Sequence, residues 1–169
     1  TDTQQYNILL VEDNPSDARL IEEYLNEQVW SEQRRDPTVR HVDRLADAVE
    51  TRDDAVDIIL LDLGLPDSSG FETLETMLEA AGDEPVVVLT GLDDQSIARD
   101  AVSRGAQDYL PKDRLDGDLF VRTIRHALQP TEIRRELRRQ NERLERFASV
   151  LSHHLRNPLH VASRPLDLA

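Results

Sequence analysis

The stretch IILLDL at residues 58–63 decides the fold class of this chain. Its apolar residues do not alternate with polar ones, which predicts a strand covered by helices on both faces. VVVLT at 86–90 predicts a second buried strand. NILLV at 7–11, TVRHV at 38–42 and QDYLPK at 107–112 predict the other three strands. The sequence therefore predicts a sheet of five strands.

Amphipathic segments between these strands predict helices at residues 15–28, 43–52, 69–80, 94–104 and 116–128. Pro15 falls in the first turn of the first helix. The apolar face of that helix is expected to contain Leu20, Ile21 and Leu25. Gly105 follows the fourth helix, where glycine commonly ends a helix. The alternation of strands and helices predicts an α/β fold with a doubly wound parallel sheet.

The chain is acidic, and its charge is unevenly distributed. Residues 1–128 hold 29 acidic and 12 basic side chains, whereas residues 129–169 hold 5 and 8. The first part would repel phosphates, so we expect no nucleic-acid binding. Nineteen of the twenty basic residues are arginine. An acidic, lysine-poor domain indicates a halophilic host, and an ordinary acidic cytosolic protein is the alternative.

The sequence lacks cysteine and long apolar runs. These absences exclude several kinds of site and protein. Without cysteine the chain has no disulfides, thiolate zinc sites or cysteine nucleophiles. It contains no apolar run of about 18 residues and no signal-peptide pattern. We therefore expect no membrane span and a cytoplasmic location.

From Thr131 onward the pattern changes to a heptad seam. The seam residues recur at intervals of four and three; they are Ile133, Leu137, Gln140, Leu144, Phe147 and Leu151. A seam of this kind has nothing of its own to pack on, which favours a parallel homodimeric coiled coil. One long solvated helix is the alternative. Pro130 is compatible with a first turn or with a kink.

Charged and hydroxyl side chains stand where four of the predicted strands end. They are Glu12 and Asp13, Asp62, Thr90, and Lys112. In a doubly wound sheet the carboxyl ends of the strands meet at the edge where ligands bind. Three carboxylates there favour Mg²⁺ as a cofactor. A carboxylate can accept a phosphoryl group while a metal ion, an ammonium and a hydroxyl hold its oxygens.

Four stretches carry the resemblance to a known family: ILLVEDNPSDARLIEEYL (8–25), IILLDLGLPDSSGFETL (58–74), VVVLTGLDD (86–94) and GAQDYLPKD (105–113). In this order they resemble the receiver domain of response regulators in two-component signalling. The resemblance covers about residues 6–128. It implies a flavodoxin-like sheet with strand order 2-1-3-4-5.

The resemblance also implies roles for the residues at the strand ends. Asp62 matches the phosphoacceptor. The implied metal ligands are Glu12, Asp13, Asp62 and the backbone carbonyl of Gly64. Thr90 and Lys112 match the groups that contact the phosphoryl oxygens, and Thr90 and Tyr109 match the switch pair.

Two positions distinguish the chain from related patterns. Some phosphotransfer enzymes have a second acid two positions after the nucleophile, for rapid hydrolysis. Here that position is Gly64, which favours a longer-lived acyl phosphate. Many receivers have proline after the lysine, whereas here Pro111 precedes Lys112. The geometry of that loop is therefore left open.

The stretch FASVLSHHLRNPL at 147–159 resembles the H-box of histidine-kinase dimerisation helices. It implies that His153 is a second phosphoacceptor. His153 comes two residues after the seam residue Leu151, which directs it away from the seam. Two features depart from the H-box pattern: His154 stands where the family has an acid, and Pro165 lies where the helix is expected to continue.

The predicted organisation has three parts: a receiver domain at 1–128, a linker or coiled-coil helix at 129–150 and a truncated H-box helix at 151–169. No Gly-rich phosphate cradle occurs in the sequence, so we expect the ATP-binding domain of a receiver–histidine kinase to lie outside this chain. A histidine kinase or phosphotransfer protein would phosphorylate Asp62. The receiver would regulate the attached kinase, a phosphotransferase, through a dimeric stalk.

The alternative is a stand-alone receiver that acts as an adaptor or phosphate sink and carries a vestigial H-box. A DNA-binding regulator fits poorly, because acids interleave with the arginines of the C-terminal helix. The remaining histidines, His41, His126 and His160, have no constellation around them and are interpreted as surface or stalk residues. Trp30 and Tyr24 are interpreted as packing residues.

Overall fold

The computed structural model describes residues 5–27, 37–91 and 95–167. Within this part, the side chains of residues 95, 130–132, 134, 135 and 153–167 are not described. Trp30 lies outside the described residues. The chain divides into two compact units, Thr1–Thr131 and Glu132–Ala169.

The first unit is a parallel sheet with helices on both faces. Its strands are β1 (Asn7–Val11), β2 (Thr38–Val42), β3 (Ile58–Asp62), β4 (Val86–Thr90) and β5 (Asp108–Pro111). They pair in the order β2-β1-β3-β4-β5. Between them lie α1 (Pro15–Glu27), α2 (Leu45–Thr51), α3 (Phe71–Ala80) and α4 (Gln95–Ser103). The predicted flavodoxin-like α/β fold is confirmed.

The apolar runs form the centre of the sheet. β3 and β4 are buried at every position. Because side chains alternate along each strand, Leu60 contributes to a core with α1 and the helix after β5, and Leu61 to a core with α2 and α3. Fully burying one such side chain contributes about 1.5 to 3 kcal/mol. The two cores hold the strand ends in fixed positions.

Helix α1 buries a slightly different face from the predicted one. Ala18, Ile21 and Leu25 are buried, whereas Leu20 is 38% exposed. Ala18, Ile21 and Leu25 belong to the core, and Leu20, about 100° from Ile21 around the helix, lies outside the face that packs there. The prediction for Leu20 is wrong. Tyr24 packs as expected, with its ring centroid 5.6 Å from that of Phe120.

Two short features shape the turns after the fourth helix and the last strand. Gly105 has a φ of 119°, and the N–H groups of Gly105 and Ala106 donate to the carbonyls of Val102 and Ala101. This pattern ends α4 at the predicted glycine. A short 3₁₀ helix, Lys112–Arg114, follows β5. The sequence pattern did not predict it.

The last helix, α5 (Gly117–Asp167), is a single element. The two helical segments expected on either side of Pro130 are continuous, and the helix extends past Pro165. Five seam residues are between 43% and 65% exposed in the single chain: Ile133, Leu137, Leu144, Phe147 and Leu151. Among the described residues, no helix combines the length and the apolar character needed to span a membrane.

Candidate active site

The pairing of β1 with β3 aligns the first two acidic positions. Val11 pairs with Leu61, so the next residues along the two strands, Glu12 and Asp62, are level with each other. Both side chains are buried, with 0% and 6% of the residue exposed. The sheet therefore brings two carboxylates from distant parts of the chain to its carboxyl edge.

The pairing of β3, β4 and β5 places the other predicted residues at the same edge. Asp62 pairs with Leu89, and the next residue, Thr90, pairs with Pro111. Lys112 follows directly after β5. Thr90 is buried, with 5% exposed. All the predicted residues at the strand ends therefore reach one edge.

Glu12, Asp13 and Asp62 form a candidate metal site. One carboxylate oxygen from each lies within 4.8 Å of the others. Asp13 is exposed, so solvent reaches the cluster from its side. Carboxylate oxygens with access to water suit Mg²⁺, which usually keeps several water ligands. The residues present therefore fit the metal ion that the sequence predicts.

Lys112 is surrounded by carboxylates. Its Nζ donates to Glu12 Oε2 at 2.9 Å and to Asp17 Oδ2 at 3.0 Å. It also forms an ion pair with Asp62 Oδ1 at 3.5 Å. Asp17 was not predicted from the sequence, although it stands four residues after Asp13 in the first turn of α1. Helix α1 begins at the same edge of the sheet. The position of Asp17 in the first turn of that helix is the sequence feature that could have identified it as a site residue.

Burial disfavours the ionised form of the carboxyl groups of Asp62 and Glu12. It raises the pKa of Asp62, although the charge of Lys112 and the N–H of Gly64 oppose the shift. It also raises the pKa of Glu12, against hydrogen bonds from Lys112 and the Asn14 N–H. Burial would lower the pKa of Lys112, but the acceptors Glu12 and Asp17 outweigh burial and raise it. Lys112 therefore keeps its positive charge, while burial leaves the carboxyl groups of Asp62 and Glu12 poorly solvated.

A cavity of about 280 Å³ lies beside Asp62. Its lining includes Asp62, Gly64, Phe71, Thr90, Gly91 and Ile97. Both the carboxylate of Asp62 and the predicted hydroxyl residue Thr90 thus border the same space. Tyr109 is half-buried on β5 and packs against the core under α2 and α3. Its role as a switch residue stays a prediction.

The loop after β3 is tied to its surroundings. Gly64 forms a β-bridge with Ser69. Asp67 accepts hydrogen bonds at 2.9 Å from the N–H groups of Leu45 and Ala46 at the start of α2. The loop that carries the predicted metal-ligand carbonyl of Gly64 is thereby held to α2. That ligand role itself stays a prediction.

His41 is exposed, as the sequence indicated, but it makes a contact that the sequence did not predict. Its Nε2 lies 2.7 Å from the carbonyl oxygen of Glu12. Because a carbonyl only accepts, Nε2 carries the hydrogen in this contact. The pairing of β1 with β2 creates the contact, and no local pattern reveals it. His126 is exposed as predicted, and the side chains of His153, His154 and His160 lie outside the described part.

Comparison with known proteins decides the family. The family model for the response regulator receiver domain matches residues 8–124. The chain belongs to this family. Residues 8–124 are therefore a receiver domain of two-component signalling. Members of this family take phosphoryl groups from histidine kinases or phosphotransfer proteins.

Individual relatives agree with this assignment. The chain is 30% identical over 141 residues to the regulatory protein LuxO of Vibrio cholerae. It is 32% identical over 123 residues to the cell cycle response regulator CtrA of Brucella ovis. These alignments cover 82% and 72% of this chain but only 29% and 49% of the relatives. The chain thus spans half or less of their length.

A solved structure has the same fold. The signal receiver domain of a putative LuxO repressor protein from Vibrio parahaemolyticus superposes with a TM-score of 0.67. The sequences are 24% identical, and the superposition covers 79% of this chain and 98% of that one. The receiver fold assigned from the strand order is thus observed in an experimental structure.

We predict that Asp62→Asn stabilises the metal-free protein at neutral pH by about 0.5 to 2 kcal/mol. A carboxyl whose pKa is raised by folding binds its proton more tightly in the folded state. Its contribution to stability therefore declines as pH rises from the ordinary to the raised pKa, and stays low above it. The substitution removes this penalty.

Urea denaturation in EDTA at several pH values measures the effect. The gain should shrink as the pH falls into the ordinary carboxyl range, where wild-type Asp62 is protonated. Asp43→Asn removes an exposed carboxylate that follows β2 at the same edge, and serves as the control. A loss of stability in Asp62→Asn at neutral pH would contradict the prediction.

Proposed function

We propose that Asp62 of this chain is the phosphoacceptor and that Glu12, Asp13, Asp62 and the Gly64 carbonyl hold Mg²⁺ during the reaction. The observation that carries the proposal is the shared edge. A buried carboxylate borders a cavity together with a hydroxyl residue, and an ammonium lies 3.5 Å from it. This combination suits an anionic group with several oxygens.

Phosphoryl transfer to Asp62 requires no proton transfer to or from the protein. An Asp62 carboxylate oxygen forms a bond to phosphorus while the bond from phosphorus to the donor breaks, and the donor leaves with the electron pair. Lys112 stays protonated and offers its ammonium to the phosphoryl oxygens, as Thr90 offers its hydroxyl. Bound Mg²⁺ supplies further positive charge for these oxygens. Burial of Asp62 limits the access of competing water.

We predict that acetyl phosphate with Mg²⁺ adds one phosphoryl group to the wild-type chain and that peptide mass spectrometry places it on Asp62. The modification should be base-labile, as an acyl phosphate is. Asp62→Asn should remain unmodified, and EDTA should prevent the reaction in the wild type. The assay is run at low and high salt because of the acidic composition. A wild type unmodified at both would contradict the proposal.

We further propose that the chain is part of a receiver–histidine kinase and precedes its ATP-binding domain. The support is the continuous helix α5, its exposed heptad seam and the H-box resemblance around His153. Phosphorylation of Asp62 would then regulate an attached kinase through a homodimeric stalk. The second candidate is a stand-alone adaptor or phosphate sink, favoured by His154 in place of the acid and by Pro165.

We predict that the chain is a dimer and that Leu144→Glu makes it a monomer. The substitution places a charge in the apolar seam, where it would be buried against the partner helix. Sedimentation equilibrium measures the mass over a range of protein concentrations. Ser149→Glu adds the same charge outside the seam and should leave the dimer intact. A monomeric wild type would favour the adaptor, and a trimer would contradict the dimeric stalk.

A further inference from the structure

The three acids that surround Lys112 do not have equivalent roles. Glu12 and Asp62 belong to the carboxylate cluster that fits a metal ion, whereas Asp17 does not. Asp17 comes from the first turn of α1, whereas Asp62 ends β3. Its side chain is 35% exposed, compared with 0% for Glu12 and 8% for Asp62. Asp17 is therefore the best solvated of the three carboxylates. It loses the least free energy if its ion pair with Lys112 breaks.

The distances show where the ammonium is held. Lys112 Nζ is within hydrogen-bond distance of Glu12 and Asp17, at 2.9 and 3.0 Å, and farther from Asp62, at 3.5 Å. A dication in the cluster would compete with the ammonium for Glu12 and Asp62, because like charges repel. Asp17 would then be the carboxylate that still attracts Lys112 without also serving the metal.

We propose that Asp17 is a positioning residue that competes with the incoming phosphoryl group for Lys112. The inference rests on the proposed phosphorylation of Asp62. In this proposal the ammonium moves from the Asp17 carboxylate toward a phosphoryl oxygen as the bond to phosphorus forms. Asp17 therefore slows phosphorylation and weakens the binding of a phosphoryl mimic. It acts through Lys112 and does not contact the reacting atoms.

The test compares Asp17→Asn with the wild type in the rate of acetyl phosphate labelling and in the affinity for beryllofluoride with Mg²⁺. We expect both to rise about three- to fivefold, the range of a partly exposed ion pair. Asp43→Asn removes one charge at the same edge of the sheet and should change neither quantity. Asp17→Glu keeps the carboxylate and should remain near the wild type.

A second pair of variants separates positioning from a general charge effect. In a Lys112→Gln background the ammonium is absent, so Asp17→Asn should no longer accelerate labelling. An equal acceleration in that background would overturn the proposal. So would a rate for Asp17→Asn that equals or falls below the wild-type rate. Failure of the wild type itself to be labelled would instead overturn the proposed function, and this inference with it.

Lys112 is the only lysine in the sequence, which provides a readout besides the reaction. Protein labelled with ¹³C at the lysine ε-carbon has one lysine signal, so no assignment is needed. We expect Asp17→Asn to shift this signal in metal-free protein and Asp43→Asn to leave it in place. An unchanged signal in Asp17→Asn would show that the two side chains do not interact, and would overturn the proposal.

Discussion

The parallel register of β1, β3, β4 and β5 places Glu12, Asp62, Thr90 and Lys112 at one edge of the sheet, and the site depends on how the charge of the two acids is balanced. Glu12 and Asp62 are almost fully removed from water. An unpaired buried charge costs several kcal/mol, so the fold needs a cation at this point. Lys112 provides it with three carboxylate contacts. A compact ammonium suits this role in a chain that otherwise uses only arginine.

This balance connects stability with chemistry. The burial that raises the pKa of Asp62 is unfavourable for the folded chain, and the carboxylate lies beside a cavity that Thr90 also lines. Rigid supports offset the cost. The two apolar cores fix the strand ends, and Asp67 ties the following loop to α2. A metal ion or a phosphoryl group changes the charge at a point where the backbone is firmly held.

Much of the site was accessible from the sequence because its residues follow strands that are easy to recognise. Apolar runs located β3 and β4, and the topology of a doubly wound sheet brought Glu12, Asp62 and Lys112 to one edge. The role of Asp17 and the contact of His41 were missed for a different reason. Their contacts, with Lys112 and with the Glu12 carbonyl, join residues 95 and 29 positions apart. No periodic pattern encodes which side chain completes such a contact.

The sequence by itself determined the strand and helix order, the acidic character of the first 128 residues and the chemistry available at the strand ends. These properties follow from local hydrophobic periodicity and from residue type, which act over short stretches of chain. Only the tertiary structure decided that Leu20 faces solvent and that Lys112 lies nearer to Glu12 and Asp17 than to Asp62. Those outcomes depend on the packing of distant segments and on competition between neighbouring charges, which have no local signature in the chain.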